Sequence, residues 1–132
     1  MRSSEARYRS LFESINEGFC IIEMLFDDHG KPNNYRFLEV NPAFERHTGL
    51  VDATGRTALE LIPELEHFWF ERYGRVATTG EPERFVEQVG ALQRWFEVDA
   101  FRLQDPQSRQ IAVLFNDITE HRAAEQALTL AA

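Results

Sequence analysis

The chain has 132 residues, 43% of them hydrophobic and 12% aromatic, with eleven Phe and two Trp. That length fits one domain and that composition supplies a core, which excludes a largely disordered chain. Twenty-two acidic against 14 basic residues give a net charge of −8, which disfavours nucleic acid and anionic lipid as partners, because an acidic surface repels phosphates.

No apolar stretch approaches the ~20 residues that span a bilayer. The opening Met1-Arg2-Ser3-Ser4-Glu5-Ala6-Arg7 lacks the apolar run of a signal peptide. A single cysteine, Cys20, excludes an internal disulfide and a cysteine-based metal cluster, and it suits a reducing compartment. A cytoplasmic location follows as the expectation, either free or as the cytoplasmic part of a membrane-bound receptor.

In chain order, Tyr8, Leu11, Phe12 and Ile15 fall at i, i+3, i+4, i+7 and predict a helix, with Ser3 or Ser4 as cap and Gly18 near its end. Phe19 to Phe26 reads as a strand. The turn formers of residues 27–34 lead to a second strand, Tyr35 to Val40, so a hairpin is expected. Asn41-Pro42 opens a short helix, with asparagine as cap and proline in the first turn, and Gly49 stops it. Residues 52–62 read as another short helical stretch ending before Pro63. Glu64 to Thr79 reads as a longer helix carrying Leu65, Phe68, Trp69, Tyr73 and Val76, closed by Gly80-Glu81-Pro82. Three strands follow: Arg84 to Val89, Arg94 to Leu103 and Gln110 to Ile118. The last two are separated by Asp105-Pro106-Gln107-Ser108. Glu120 to Leu130 is an alanine-rich helix that reaches the end of the sequence without a stop signal, as though continuing into a longer helix. Grouped rather than alternating strands predict an α+β fold with an antiparallel sheet.

Four strings in this order resemble the PAS domain. They are Phe37-Leu38-Glu39-Val40-Asn41-Pro42-Ala43-Phe44 with Thr48-Gly49, Val76 to Pro82, Arg94-Trp95-Phe96-Glu97-Val98, and Asp117-Ile118-Thr119-Glu120. The resemblance implies a five-stranded antiparallel sheet with helices on one face, a pocket between them and flanking terminal helices. It divides the chain into a flanking helix at 1–17, a core at 18–119, and the start of a linker helix to an output domain at 120–132. It implies a bacterial sensory module, not an enzyme, that detects a small ligand or cofactor and signals through its last helix to an output domain, a histidine kinase first, or else a cyclic-dinucleotide enzyme or a transcription regulator. The alternative is a ligand-free module for dimerisation and relay; a third reading is an unrelated α+β enzyme.

The register shared by the family puts Phe96, Val98 and Ala100 inward with Val113 and Phe115. Together with Ile22, Phe44, Leu61 and Trp69 these are the pocket candidates; simple core packing is the other reading of the same residues. His67 lies on the helix that supplies the proximal ligand in haem-binding relatives, so it is a candidate pocket residue and haem ligand, against an ordinary surface or core histidine. Flavin photochemistry is not expected: Cys20 sits on the first strand, outside the Asn-Cys-Arg setting of light sensors, and reads as a small buried apolar residue. Asp117 and Thr119 are the signal-relay candidates. Thr119 is the expected cap of the last helix, and Asp117 would fix its angle by pairing with a nearby base. Dimerisation, usual in the family through the flanking helices, nominates Tyr8, Leu11, Phe12, Ile15, Trp95 and Phe101 as contacts of a homodimer. Catalysis has no evident seat: Glu97 and Asp99 share a strand face but no nucleophile accompanies them. His29, His47 and His121 are too scattered for a metal site.

Overall fold

A computed structural model of the chain describes residues 2–103 and 109–131, and the side chains of all of these except residues 2–5, 8, 130 and 131. The first helix, α1, spans Arg2–Ser14. It begins ahead of Ser3 and Ser4, so neither serine caps it. Strands β1 (Gly18–Phe26) and β2 (Pro32–Val40) form the expected hairpin. Its turn is organised by Asp27, whose Oδ1 accepts the N–H groups of His29 and Lys31.

Helix α2 (Pro42–Thr48) starts at Asn41, whose Oδ1 accepts the N–H of Phe44 at 3.0 Å, and ends at Gly49 in the left-handed region, φ 77°. The stretch expected to be helical over 52–62 is largely extended and turning. Only Ala58–Leu61 is helix (α3), started by a capping box between Thr57 and Glu60. Thr57 also bridges to Arg36, and Phe37 exchanges backbone bonds with Gly55 and Arg56, so this segment covers the open edge of β2. Helix α4 runs His67–Thr79, three residues shorter at its start than the sequence suggested, and ends at Gly80, also at φ 77°.

Strands β3 (Glu83–Val89), β4 (Arg94–Arg102) and β5 (Gln110–Asp117) follow, with a 3-10 turn at Gly90–Leu92 between the first two. The turn expected at 105–108 lies outside the described residues. Helix α5 takes Thr119–Ala131. Every pairing in the sheet is antiparallel and its order is β2-β1-β5-β4-β3, so the two segments nearest the chain's flanks, β1 and β5, sit side by side at its centre.

Alternation decides which side chains enter the core. Ile22 and Met24 on β1, Tyr35 and Phe37 on β2, Phe96, Val98 and Ala100 on β4, and Ile111, Val113 and Phe115 on β5 are buried on one face. Helices α2, α3 and α4 cover that face. Ile22, Met24, Val98 and Ile111 are at most 2% exposed, and full burial of such a side chain stabilises by about 1.5–3 kcal/mol. Among the described residues, no helix is long and apolar enough to cross a membrane.

Candidate functional site

Two features stand out: a cavity in the core and the hydrogen-bonded corner where β5 becomes α5. The cavity lies between the sheet and α4 and holds about 60 Å³. Its lining contains Ile22, Phe44, Trp69, Phe96, Val98, Val113 and Phe115, as the sequence suggested. Leu61 is not among its walls. It is the last residue of α3 and packs half-buried on the core, while Ile62, at φ −134° and ψ 82°, turns into the lining instead. His67 is not among them either. With α4 beginning at His67, the helical period carries Trp69 and Tyr73 inward and leaves the imidazole in solvent, 64% exposed and 3.7 Å from Glu71.

Sequence reasoning missed Tyr35, Phe37, Leu65 and Tyr73 as lining residues. Alternation along β2 and the i, i+4 series Leu65–Trp69–Tyr73 carried the signal for all four.

The walls form a continuous run of rings in edge or tilted contact. Phe96 meets Phe115 at 5.6 Å, Phe115 meets Phe44 at 5.7 Å, and Phe44 meets Phe37 at 5.2 Å. The run continues through Tyr35, Tyr73 and Trp69 to Phe85. Polar groups are few. Thr48 satisfies its hydroxyl on the Phe44 carbonyl at 2.8 Å. Trp69, 3% exposed, buries an indole N–H without a partner. Burial pushes the Cys20 thiol well above its ordinary range, so it stays protonated. Burial raises the Tyr35 and Tyr73 hydroxyls in the same way.

These residues do not fit haem or flavin. The one histidine expected to ligate iron faces solvent. The cysteine is an inert wall residue on β1, and about 60 Å³ is far below the ~300–1,000 Å³ of sites that bury cofactor-sized molecules.

At the corner, Asp117 Oδ1 accepts both the Thr119 N–H at 3.0 Å and the Thr119 hydroxyl at 2.5 Å. That hydroxyl in turn accepts the Trp95 N–H at 2.8 Å, and the Ile118 N–H donates to the Trp95 carbonyl at 2.8 Å. The side chain that accepts a helix amide is therefore Asp117 and not Thr119. Helix α5 begins at Thr119 itself, so the Asp117 carboxylate takes a free amide of the first turn. Thr119 instead ties the helix to β4. The base beside Asp117 is Arg94, with Nε 3.8 Å from Oδ2. Arg94 also donates to the His47 carbonyl at 2.8 Å. His47, which the sequence gave no reason to single out, accepts the Asp117 N–H at Nδ1, 3.0 Å, while Nε2 lies 2.7 Å from the Asn16 carbonyl. Asn41, 2% exposed, accepts the N–H of Phe19 and donates to the Glu17 carbonyl at 3.0 Å.

The dimer-contact candidates separate by exposure. Leu11 is 63% and Phe101 40% exposed, and Ile15 is half-buried. Phe12 is 9% exposed and stacks edge-on against Phe19 of its own chain at 5.3 Å, so it is not free to meet a second copy. Trp95 is half-buried because the Arg122 guanidinium of α5 lies 3.9 Å above its ring. The Tyr8 side chain lies outside the described residues. Glu97 and Asp99 are half-buried on the outer sheet face, both facing the exposed Arg84 at 3.7 and 3.5 Å, which makes them a surface charge cluster rather than an acid–base pair in a cleft.

Comparison with known proteins agrees with this architecture. The chain is similar to an RNA-binding light-oxygen-voltage receptor at 16% identity and a TM-score of 0.64, covering 96% of this chain but 38% of the receptor's. It is similar to a sensory box sensor histidine kinase from Vibrio cholerae at 18% identity and a TM-score of 0.54, covering 88% of this chain and 89% of the other. A light-oxygen-voltage protein from Rhodobacter sphaeroides matches at 12% identity and a TM-score of 0.62, over 89% of this chain and 69% of the other. At these identities the three share the fold. The family model described as PAS domain matches residues 6–81, more than half of the sequence, and the chain belongs to the PAS domain family.

Proposed function

We propose that the chain is a sensory relay module, in which β4 and β5 convert a change in the packed interior into a displacement of α5. Helix α5 would pass it to an output domain, with a histidine kinase of a two-component system as the expected class. One observation carries this reading: the same strands serve both features. Phe96 and Phe115 meet across the cavity, while the adjacent Trp95 backbone and the Asp117 carboxylate hold the first residues of α5. A shift of either strand therefore moves the helix start, and a corner with two hydrogen-bonded arrangements is the kind of element a switch needs. A homodimer would cover exposed Leu11 and Phe101, and a cytoplasmic setting is the matching expectation.

The test joins α5 in unbroken helical register to a histidine-kinase catalytic region and compares wild type with Thr119→Val, which keeps the side-chain shape but loses both hydroxyl bonds. Autophosphorylation is expected to change by at least about fivefold, the lower end of ordinary coupling, with the far-ultraviolet spectrum preserved. Equal rates reject the relay.

A second reading, detection of a small ligand, is favoured by the unpartnered Trp69 indole N–H among the cavity walls. It calls for a molecule of a few heavy atoms that presents one hydrogen-bond acceptor. Native mass spectrometry of the freshly purified chain, with its ultraviolet–visible spectrum, tests it. A retained extra mass supports the ligand, and a mass equal to the polypeptide alone leaves the relay reading by itself.

A further inference from the structure

We infer that His47 is a two-sided link between the chain's entry and exit segments, closed when its imidazole is neutral and opened by a proton. The argument is one of donors and acceptors. The Asp117 N–H can only donate, so Nδ1, 3.0 Å away, is bare. The Asn16 carbonyl can only accept, so Nε2, 2.7 Å away, carries the hydrogen. The two neighbours thus fix one tautomer of a neutral ring. An imidazolium has no acceptor nitrogen. Protonation would set N–H against N–H on the β5 side and break that bond, while the bond to Asn16 survives.

The entry side has a second anchor that does not titrate, the Asn41 amide on the Glu17 carbonyl, so only the exit side is released. The amide released belongs to Asp117, whose carboxylate holds Thr119 at the start of α5. The charged pair beside the ring is Asp117 on β5 and Arg94 on β4, 3.8 Å apart, with Arg94 also donating to the His47 carbonyl; Glu45 and Arg46 precede His47 on its own helix, both exposed, and Glu17 follows Asn16 in the chain. Phe115 packs against the ring at 6.2 Å between centroids and connects it to the cavity walls, while His47 stays half-buried. Motion arriving through α1 could in this way reach α5 without crossing the cavity. The link is a property of the fold; its use in signalling rests on the relay reading above.

The experiment is nitrogen-detected NMR of the histidine rings in the whole 132-residue chain, with amide exchange between pH 8 and pH 5, the window in which histidines change charge. At pH 8 the His47 ring is expected as the Nε2–H tautomer. The Asp117 amide should titrate in step with the ring. Its exchange protection, corrected for intrinsic rate, should fall roughly three- to tenfold, the worth of one hydrogen bond. The Phe19 amide, held by Asn41, should not follow. In His47→Gln the Asp117 titration should vanish. An Nδ1–H tautomer in the wild type, an Asp117 amide indifferent to the ring, or the same titration in the variant would each overturn the link. No output domain enters this test, so a silent kinase fusion beside a titrating Asp117 amide would sink the relay and leave the link standing.

Discussion

Replacing Phe96 by alanine tests how full the interior is. Phe96 is 4% exposed and packs edge-on against Phe115. Losing its burial removes about 2 kcal/mol. The vacated benzyl group leaves roughly 100 Å³, which at about 24 cal/mol per Å³ adds a little over 2 kcal/mol. The expected cost is thus about 4 kcal/mol, measured by urea denaturation. Added to the existing cavity of about 60 Å³, the new space approaches roughly 160 Å³, close to the ~150 Å³ of a dry apolar cavity that admits benzene. Benzene should therefore raise the melting temperature of Phe96→Ala by roughly 2–6 °C and leave the wild type unmoved. A cost below about 1.5 kcal/mol, or equal stabilisation of the wild type by benzene, would show that the native cavity is already open to ligands of that size.

Alkali should destabilise the chain. Burial raises the folded-state values of Cys20, Tyr35 and Tyr73 above the ordinary 9.0 and 10.0. All three stay protonated in the fold while the unfolded chain ionises, so their contribution is full below those ordinary values and is lost as pH rises past them. By pH 10 the loss is about 2 kcal/mol, to be read from urea midpoints at pH 8 and pH 10. Cys20→Ala should cut it to under about 1 kcal/mol, and an unchanged loss would mean the thiol is not its main source. Asn41→Ala removes a helix cap and leaves the Phe19 N–H and Glu17 carbonyl without their partner. The expected cost is about 2–4 kcal/mol, and a cost within a few tenths would mean that water replaces the amide.

The fold was largely legible because its signals are periodic. Alternation along β4 separated its two faces, the PAS resemblance said which of them turns inward with Val113 and Phe115 of β5, and Asn41-Pro42 with Gly49 marked both ends of α2 before any coordinates. Where the reading failed, the deciding partner was remote in sequence. Residues 52–57 carry Asp52, Thr54, Gly55 and Thr57, all weak helix formers, and Phe37 draws the backbone of Gly55 and Arg56 to the edge of β2, so sheet bonds win over a weak local propensity. At the start of α4, Glu66 spends its carboxylate on the Gly90 N–H at 3.0 Å instead of capping the helix. The helix then begins at His67, three residues later than the sequence suggested, and its period leaves His67 outward.

The candidate site divides along the same line. Which side chains share a face follows from period, and the family register says which face is inward, so seven of the cavity walls could be named in advance. How much room they leave depends on rings from five different elements meeting edge to edge, which no single segment encodes. The corner was half legible: Asp117 and Thr119 stood out as a carboxylate and a hydroxyl before a helix. The tie of Thr119 to the sheet comes from β4, because pairing Phe96 with Asp117 brings the Trp95 N–H to the Thr119 hydroxyl, while the Asp117 carboxylate takes the helix amide. His47 gave no local signal at all. Its meaning depends on the central pairing of β1 with β5, which sets the end of the entry segment beside the end of the exit strand. A side chain on α2 that spans this gap must offer one donor and one acceptor on opposite edges of a rigid ring. A neutral histidine does so, and among side chains of that reach it is the one whose acceptor a proton removes near neutral pH.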